Sequence, residues 1–185
     1  MGFAVANNGR PRCWAPRSPG LTFLRRLCLA LLCAITPFAL AAEDLDTRIE
    51  SAAEQLVEND PIYKDETFRK LRPTLQRLVK LIDRDQVRIA LYKASINELK
   101  REPSLTHEQL RWLAEIEDVF VKAEGRFRAA RAMYILSDES SGYPDRWGAQ
   151  GDAIRNLSEA SQLFDKAKRD HATLRLRVKM QATPQ

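Results

Sequence analysis

The sequence predicts an all-α fold: an antiparallel bundle of three long amphipathic helices plus one shorter helix, following an N-terminal signal peptide. Three observations carry this. Apolar residues recur at helical spacing in four separate segments. Glycine is scarce after residue 41, where only Gly125, Gly142, Gly148 and Gly151 occur, and little in the chain alternates as a strand does. The stretch from Ala42 to Gln185, what remains of 185 residues when the first 41 are set aside, fits one domain.

Residues 1–41 hold five basic residues (Arg10, Arg12, Arg17, Arg25, Arg26) and no acidic one. An apolar run from Leu27 to Leu40 follows Arg26, and small residues close it at Ala39, Ala41 and Ala42. Basic, then apolar, then small is the layout of a cleavable export signal, with cleavage expected before Ala42. The competing reading is a retained membrane anchor. Against it, the apolar run is shorter than the roughly 20 residues a spanning helix needs, and Pro37 interrupts its end. Cys28 and Cys33 are preceded by leucines, which disfavours a lipoprotein. The expected location is periplasmic or secreted, with no stable membrane span after cleavage.

From Asp44 to Asn59, Leu45, Ile49, Ala52, Ala53, Leu56 and Val57 draw one helical stripe, and Asn59-Asp60-Pro61 stops it. Residues 61–72 read as a connector with a short helical turn around Phe68 and Leu71. Pro73 suits the first turn of a long helix, where a missing N–H costs nothing. Its seam runs Leu75, Leu78, Ile82, Asp85, Ile89, Tyr92, Ile96, Leu99, and it ends before Pro103. Asp85, the one acid on that seam, is expected to meet an arginine of a neighbouring helix or to set register.

The next helix opens with a capping box, Thr106-His107-Glu108-Gln109, flanked by Leu105 and Leu110 as a staple. Its seam is Leu113, Ile116, Phe120, Ala123, Phe127, Ala130 and Tyr134. Residues 137–151 (SDESSGYPDRWGAQG) concentrate Ser, Gly, Pro and Asp and read as a loop. Asp152 would then cap the last helix, whose stripe is Ala153, Leu157, Ala160, Phe164, Ala167, His171, Leu174 and Val178.

Composition narrows the function classes. All three cysteines (Cys13, Cys28, Cys33) lie in the signal region, so the remainder has no disulfide, thiolate nucleophile or cysteine metal ligand. Setting aside the five basic residues of 1–41 leaves 25 Lys+Arg against 25 Asp+Glu, a net charge of zero. The overall basic balance therefore gives no reason to expect nucleic-acid binding. Residues 43–60 carry seven acids and one arginine, whereas residues 152–185 carry seven bases and four acids. Opposite charge suggests that these two ends lie side by side.

The two histidines after residue 41 are His107, expected exposed beside its cap, and His171, on the apolar stripe near a helix end. Neither has a second histidine or a cysteine nearby, so neither metal nor cofactor is expected. Within the 137–151 segment Tyr143, Arg146 and Trp147 sit beside Asp145 and Glu139. They either form a sugar- or peptide-binding surface or fold back to plug the end of the bundle. The second reading is favoured, since buried aromatics commonly supply core area.

Met133 to Asp152, MYILSDESSGYPDRWGAQGD, resembles the end of a helix with a Glu-Ser-Gly motif in bacterial glucosaminidases of the endo-β-N-acetylglucosaminidase-like family, which cut peptidoglycan glycans. Leu71 to Ile116 is similar to the helical region preceding the catalytic domain in some members. The resemblance implies that Glu139 stands at the catalytic acid and that peptidoglycan is a partner. The residues' own chemistry leans the other way. Glycoside hydrolysis needs a desolvated acid with a second carboxylate or substrate assistance, and a polar, serine-rich loop offers neither. The reading that follows is a non-enzymatic binding, scaffold or assembly factor of the cell envelope, meeting a protein partner or itself through helix faces. A peptidoglycan-binding protein and a periplasmic immunity or inhibitor protein are the alternatives.

Overall fold

A computed structural model describes residues 42–139 and 143–182. The expected export signal over 1–41 lies outside the described residues. Helix α1 spans Ala42–Glu58, and a 3-10 turn follows at Pro61–Lys64. The remaining helices are α2 at Glu66–Arg69, α3 at Pro73–Leu99, α4 at His107–Glu139 and α5 at Tyr143–Ala182. No strand occurs among the described residues.

Local chemistry sets the boundaries. The Asp60 carboxylate accepts from the Ile62 N–H at 2.9 Å and starts the 3-10 turn. Asp65 does the same for α2 by accepting from the Thr67 N–H at 2.7 Å. Pro73 occupies the first turn of α3. The capping box forms as expected: the Gln109 N–H donates to Thr106 Oγ1 at 3.2 Å, and the Thr106 N–H donates to Gln109 Oε1 at 2.8 Å. Of the staple pair, Leu105 packs against the core while Leu110 stays exposed. The buried Gln109 amide also donates to Gln181 Oε1 at 2.8 Å, tying the start of α4 to the end of α5.

Cross-helix partners fix the topology. Lys100 meets Glu117 at 2.5 Å and Lys93 meets Glu124 at 3.3 Å, so α3 and α4 are antiparallel. Gln109 with Gln181, and Arg126 with Glu159 at 3.0 Å, make α4 and α5 antiparallel. Asp46 with Tyr92 and Glu50 with Arg88 do so for α1 and α3. The four form an up-down-up-down bundle. The contact between α4 and α5 is the most extensive; α1 lies mainly on α3 and touches α5 only locally.

One apolar core joins all four helices. Ile49 and Ala53 enter from α1, Ile82, Ile89 and Ile96 from α3, Phe120 and Phe127 from α4, and Phe164 and Leu174 from α5. Each such large side chain contributes on the order of 1.5–3 kcal/mol by leaving water. A smaller cluster of Phe68, Leu75 and Val79 sits under the connector. The acidic and basic ends do lie together: Asp46 of α1 pairs with Lys168 of α5 at 2.9 Å.

The segment 137–151 is a correction. Helix α4 runs through Glu139 and α5 begins at Tyr143, so the expected loop is mostly helix and Asp152 lies inside α5, paired with Arg155 at 3.3 Å. The turn-forming residues there are compatible with helix once their positions are known. Pro144 is the second residue of α5, where it lacks no needed N–H. Ser137 is buried and satisfies its hydroxyl on the Tyr134 carbonyl at 2.7 Å. Ala149 and Ala153 are buried, and this packing outweighs the low helix propensity of Gly148 and Gly151.

Candidate functional site

The hairpin end was the expected site. Glu139 closes α4, and Tyr143, Arg146 and Trp147 fall in the first two turns of α5, the last three at i, i+3, i+4 spacing. Arg146 is half-buried, and Trp147 is 58% exposed. Trp147 therefore does not plug the bundle. The buried residues at this end of α5 are the smaller Ala149 and Ala153. Ile154, 60% exposed, lies two turns beyond Trp147 and shares its side of the helix.

The densest chemistry is elsewhere, in a polar layer where α1, α3 and α5 meet. His171 is 1% exposed, far from the frayed helix end where a tolerated histidine was expected. Its ring meets Tyr92 edge-on at 5.7 Å. Tyr92 also stacks on Phe120 at 5.3 Å and stands edge-on to Phe164 at 5.8 Å. The Tyr92 hydroxyl donates to Asp46 Oδ1 at 2.5 Å, while Asp46 Oδ2 holds Lys168. Next to this, Arg88 bridges Glu50 of α1 at 2.8 Å and Asp85 of its own helix at 2.9 Å, with its guanidinium 4.8 Å from the Phe164 ring centre. The partner of Asp85 is thus an arginine one turn away on the same helix. That arginine, rather than Asp85, reaches the neighbouring helix.

Burial governs the ionisation of the layer. It pushes the Tyr92 hydroxyl well above its ordinary range, and the hydrogen bond and charge of Asp46 add to that. Burial likewise pushes His171 down to about 4; Arg175 reinforces the shift and Asp46 opposes it. His171 is therefore neutral near pH 7. Its Nε2 and the Arg175 Nη1 are buried with no hydrogen-bond partner in the protein. Burial lowers Arg175 as well, against the attraction of Asp46 and Glu98.

A second polar knot anchors the connector. The Tyr63 hydroxyl donates to Asp83 Oδ2 at 2.7 Å, and Arg131 Nε donates to Asp83 Oδ1 at 2.8 Å. Burial raises the Asp83 carboxyl above its usual range while Arg131 pulls it back. Two open surface grooves run between α4 and α5, one beside Lys122, Arg126 and Lys166, the other beside Trp112 and Arg177. Neither includes His171 or Trp147. Among the described residues, no group of three or more His, Cys, Asp or Glu is placed to hold a metal ion.

Sequence reasoning placed His171 on the packed face but missed its partners. Asp46 was one acid among seven in residues 43–60, and nothing in its spacing marked it as the one that would reach Tyr92 and Lys168. No protein-family model matches the chain, and no curated protein or solved structure does.

Proposed function

We propose that the chain is exported and acts as a non-catalytic binding or assembly factor of the cell envelope, meeting a protein partner through helix faces. The observation that supports this is the division of labour along α5. The interior titratable groups, His171 and Arg175, face other helices, and what α5 turns outward includes large apolar side chains: Trp147 with Ile154 at one end, Leu176 with Met180 at the other. Met180 is 77% exposed and lies one turn from Leu176. Tryptophan is enriched among the anchors of protein–protein contacts, and apolar side chains that cluster on a surface mark such sites. Among the described residues no helix is long and apolar enough to cross a membrane.

Export is tested by expressing the full chain in a bacterial host and determining the N-terminus of the protein in the periplasmic fraction. A start at Ala42 is expected; an uncleaved chain confined to the cytosol contradicts the reading. Partner contact is tested with a photoreactive amino acid replacing Trp147 or Met180. A discrete foreign adduct is expected, and none at either position opposes the proposal.

The exposure of Trp147 beside Arg146 also favours a second reading, a peptidoglycan-binding surface at the hairpin end, since an exposed aromatic suits the face of a sugar ring. Binding to purified sacculi that falls with Trp147→Ala supports it. Equal clearing of cell wall by wild type and Glu139→Gln removes any catalytic role for Glu139.

A further inference from the structure

Helix α1 differs from the other three bundle helices in how it is held. It lies along α3, meets α5 only locally, and is the shortest of the four. Its seat is cationic and aromatic: Arg88 and Tyr92 from α3, Lys168, His171 and Arg175 from α5. The helix that fills it is acidic, contributing Asp46 to Tyr92 and Lys168 and Glu50 to Arg88. In the same layer, His171 Nε2 and Arg175 Nη1 are buried with no hydrogen-bond partner in the protein.

The connector has anchors besides α1, although Tyr63 also packs against the main core that α1 enters. Tyr63 is tied to Asp83 and packs edge-on against Phe68 at 4.9 Å, and Phe68 belongs to the separate cluster with Leu75 and Val79. Between that anchor and α1 lie only Asn59 and Asp60, outside any helix. A rotation at those two residues, breaking the bond from the Asp60 N–H to the Val57 carbonyl, would lift α1 from its seat while the Tyr63–Asp83 bond and the α3–α4–α5 hairpins hold. What it uncovers is an apolar groove rimmed by Arg88, Lys168 and Arg175, complementary in charge and pattern to the acidic α1.

We infer that α1 is an exchangeable latch, and that the groove between α3 and α5 accepts the α1 of a second copy, giving a reciprocal dimer. The inference rests on the proposed binding through helix faces but concerns a different surface from Trp147 and Met180. Exchange keeps every contact α1 makes within one chain, so only the hinge and the association entropy separate the two forms and the balance depends on concentration.

The test uses full-length chains in which Cys13, Cys28 and Cys33 are replaced by serine. A chain carrying both Asp46→Cys and Lys168→Cys, treated with a short bifunctional maleimide when dilute, is expected to cross-link within itself. Failure to do so overturns the seating of α1. Chains carrying only Asp46→Cys and isotopically labelled chains carrying only Lys168→Cys are then mixed at rising concentration. The interchain product is expected to exceed that from Asp46→Cys with Arg155→Cys by about tenfold, because exchange holds the first pair at high effective concentration. Equal yields from the two mixtures, or monomer alone, overturn the latch. Either result leaves the photo-cross-linking at Trp147 and Met180 free to stand or fall on its own.

Discussion

Where α4 meets α5, the contact is long and apolar: Leu113, Phe120, Phe127 and Ala130 face Ala153, Ala160, Ala167 and Leu174, all buried. Where α1 meets α3 and α5, a few apolar residues share the space with Asp46, Glu50, Arg88, Tyr92, Lys168, His171 and Arg175. The first contact depends mainly on area removed from water. The second combines the buried Ile49, Ala53, Leu56 and Val57 with ion pairs, and it leaves His171 Nε2 and Arg175 Nη1 with no hydrogen-bond partner in the protein. One bundle thus combines an extensively packed helix pair with a shorter helix whose seat mixes apolar residues and charges.

The largest loss of stability is expected from Phe120→Ala. Phe120 is fully buried and stacked on Tyr92, so it belongs to both contacts. Its truncation is expected to cost about 3–5 kcal/mol in denaturant unfolding followed by circular dichroism.

His171 sharpens the comparison through pH. Its pKa is about 4 when folded against an ordinary histidine value of 6.5, so the unfolded chain takes the proton first. The stability it contributes is complete above about pH 6.5 and is lost as pH falls toward about 4, by roughly 3 kcal/mol in all. His171→Leu is expected to abolish that part of the pH dependence, read as the difference between the two unfolding profiles. Identical profiles would mean that the ring is not buried as described.

A smaller effect is expected from Asp46→Asn, which removes the charge holding Lys168 while preserving shape. Both side chains are about one-third exposed, so the loss is on the order of 1 kcal/mol and shrinks in high salt. Added salt should leave the cost of Phe120→Ala unchanged. The smallest effect has the opposite sign. Gly125 is exposed in the middle of α4, and a Cβ there meets nothing within 4 Å. Gly125→Ala should therefore stabilise the hairpin by about 0.5–1 kcal/mol, read as a raised Tm.

The same contrast explains what could be read from the sequence. The α4 seam is fully periodic, and six of the seven residues expected on it are buried, with Tyr134 partly so. The α1 stripe is seated as its spacing implies, on Ile49, Ala53, Leu56 and Val57. The polar layer was not legible, because which acid meets which base depends on the rotation of each helix about its axis, and one sequence does not fix that. The start of α5 was misread for a different reason. Ser, Gly, Pro and Asp speak for a turn locally, but Ala149 and Ala153 need only a neighbouring helix to favour helix instead. Trp147, expected inside, is exposed, and the buried positions near it are held by Ala149 and Ala153.

Native-state hydrogen exchange resolved along the chain tests most directly whether α1 is held conditionally and the α4–α5 hairpin is not. The structure predicts that amides of residues 49–57 in α1 open at a distinctly lower free energy than those of residues 113–130 in α4, and that the gap widens as pH is lowered from 7 toward 5. Equal opening free energies for the two helices at every pH would contradict the account, and with it the latch.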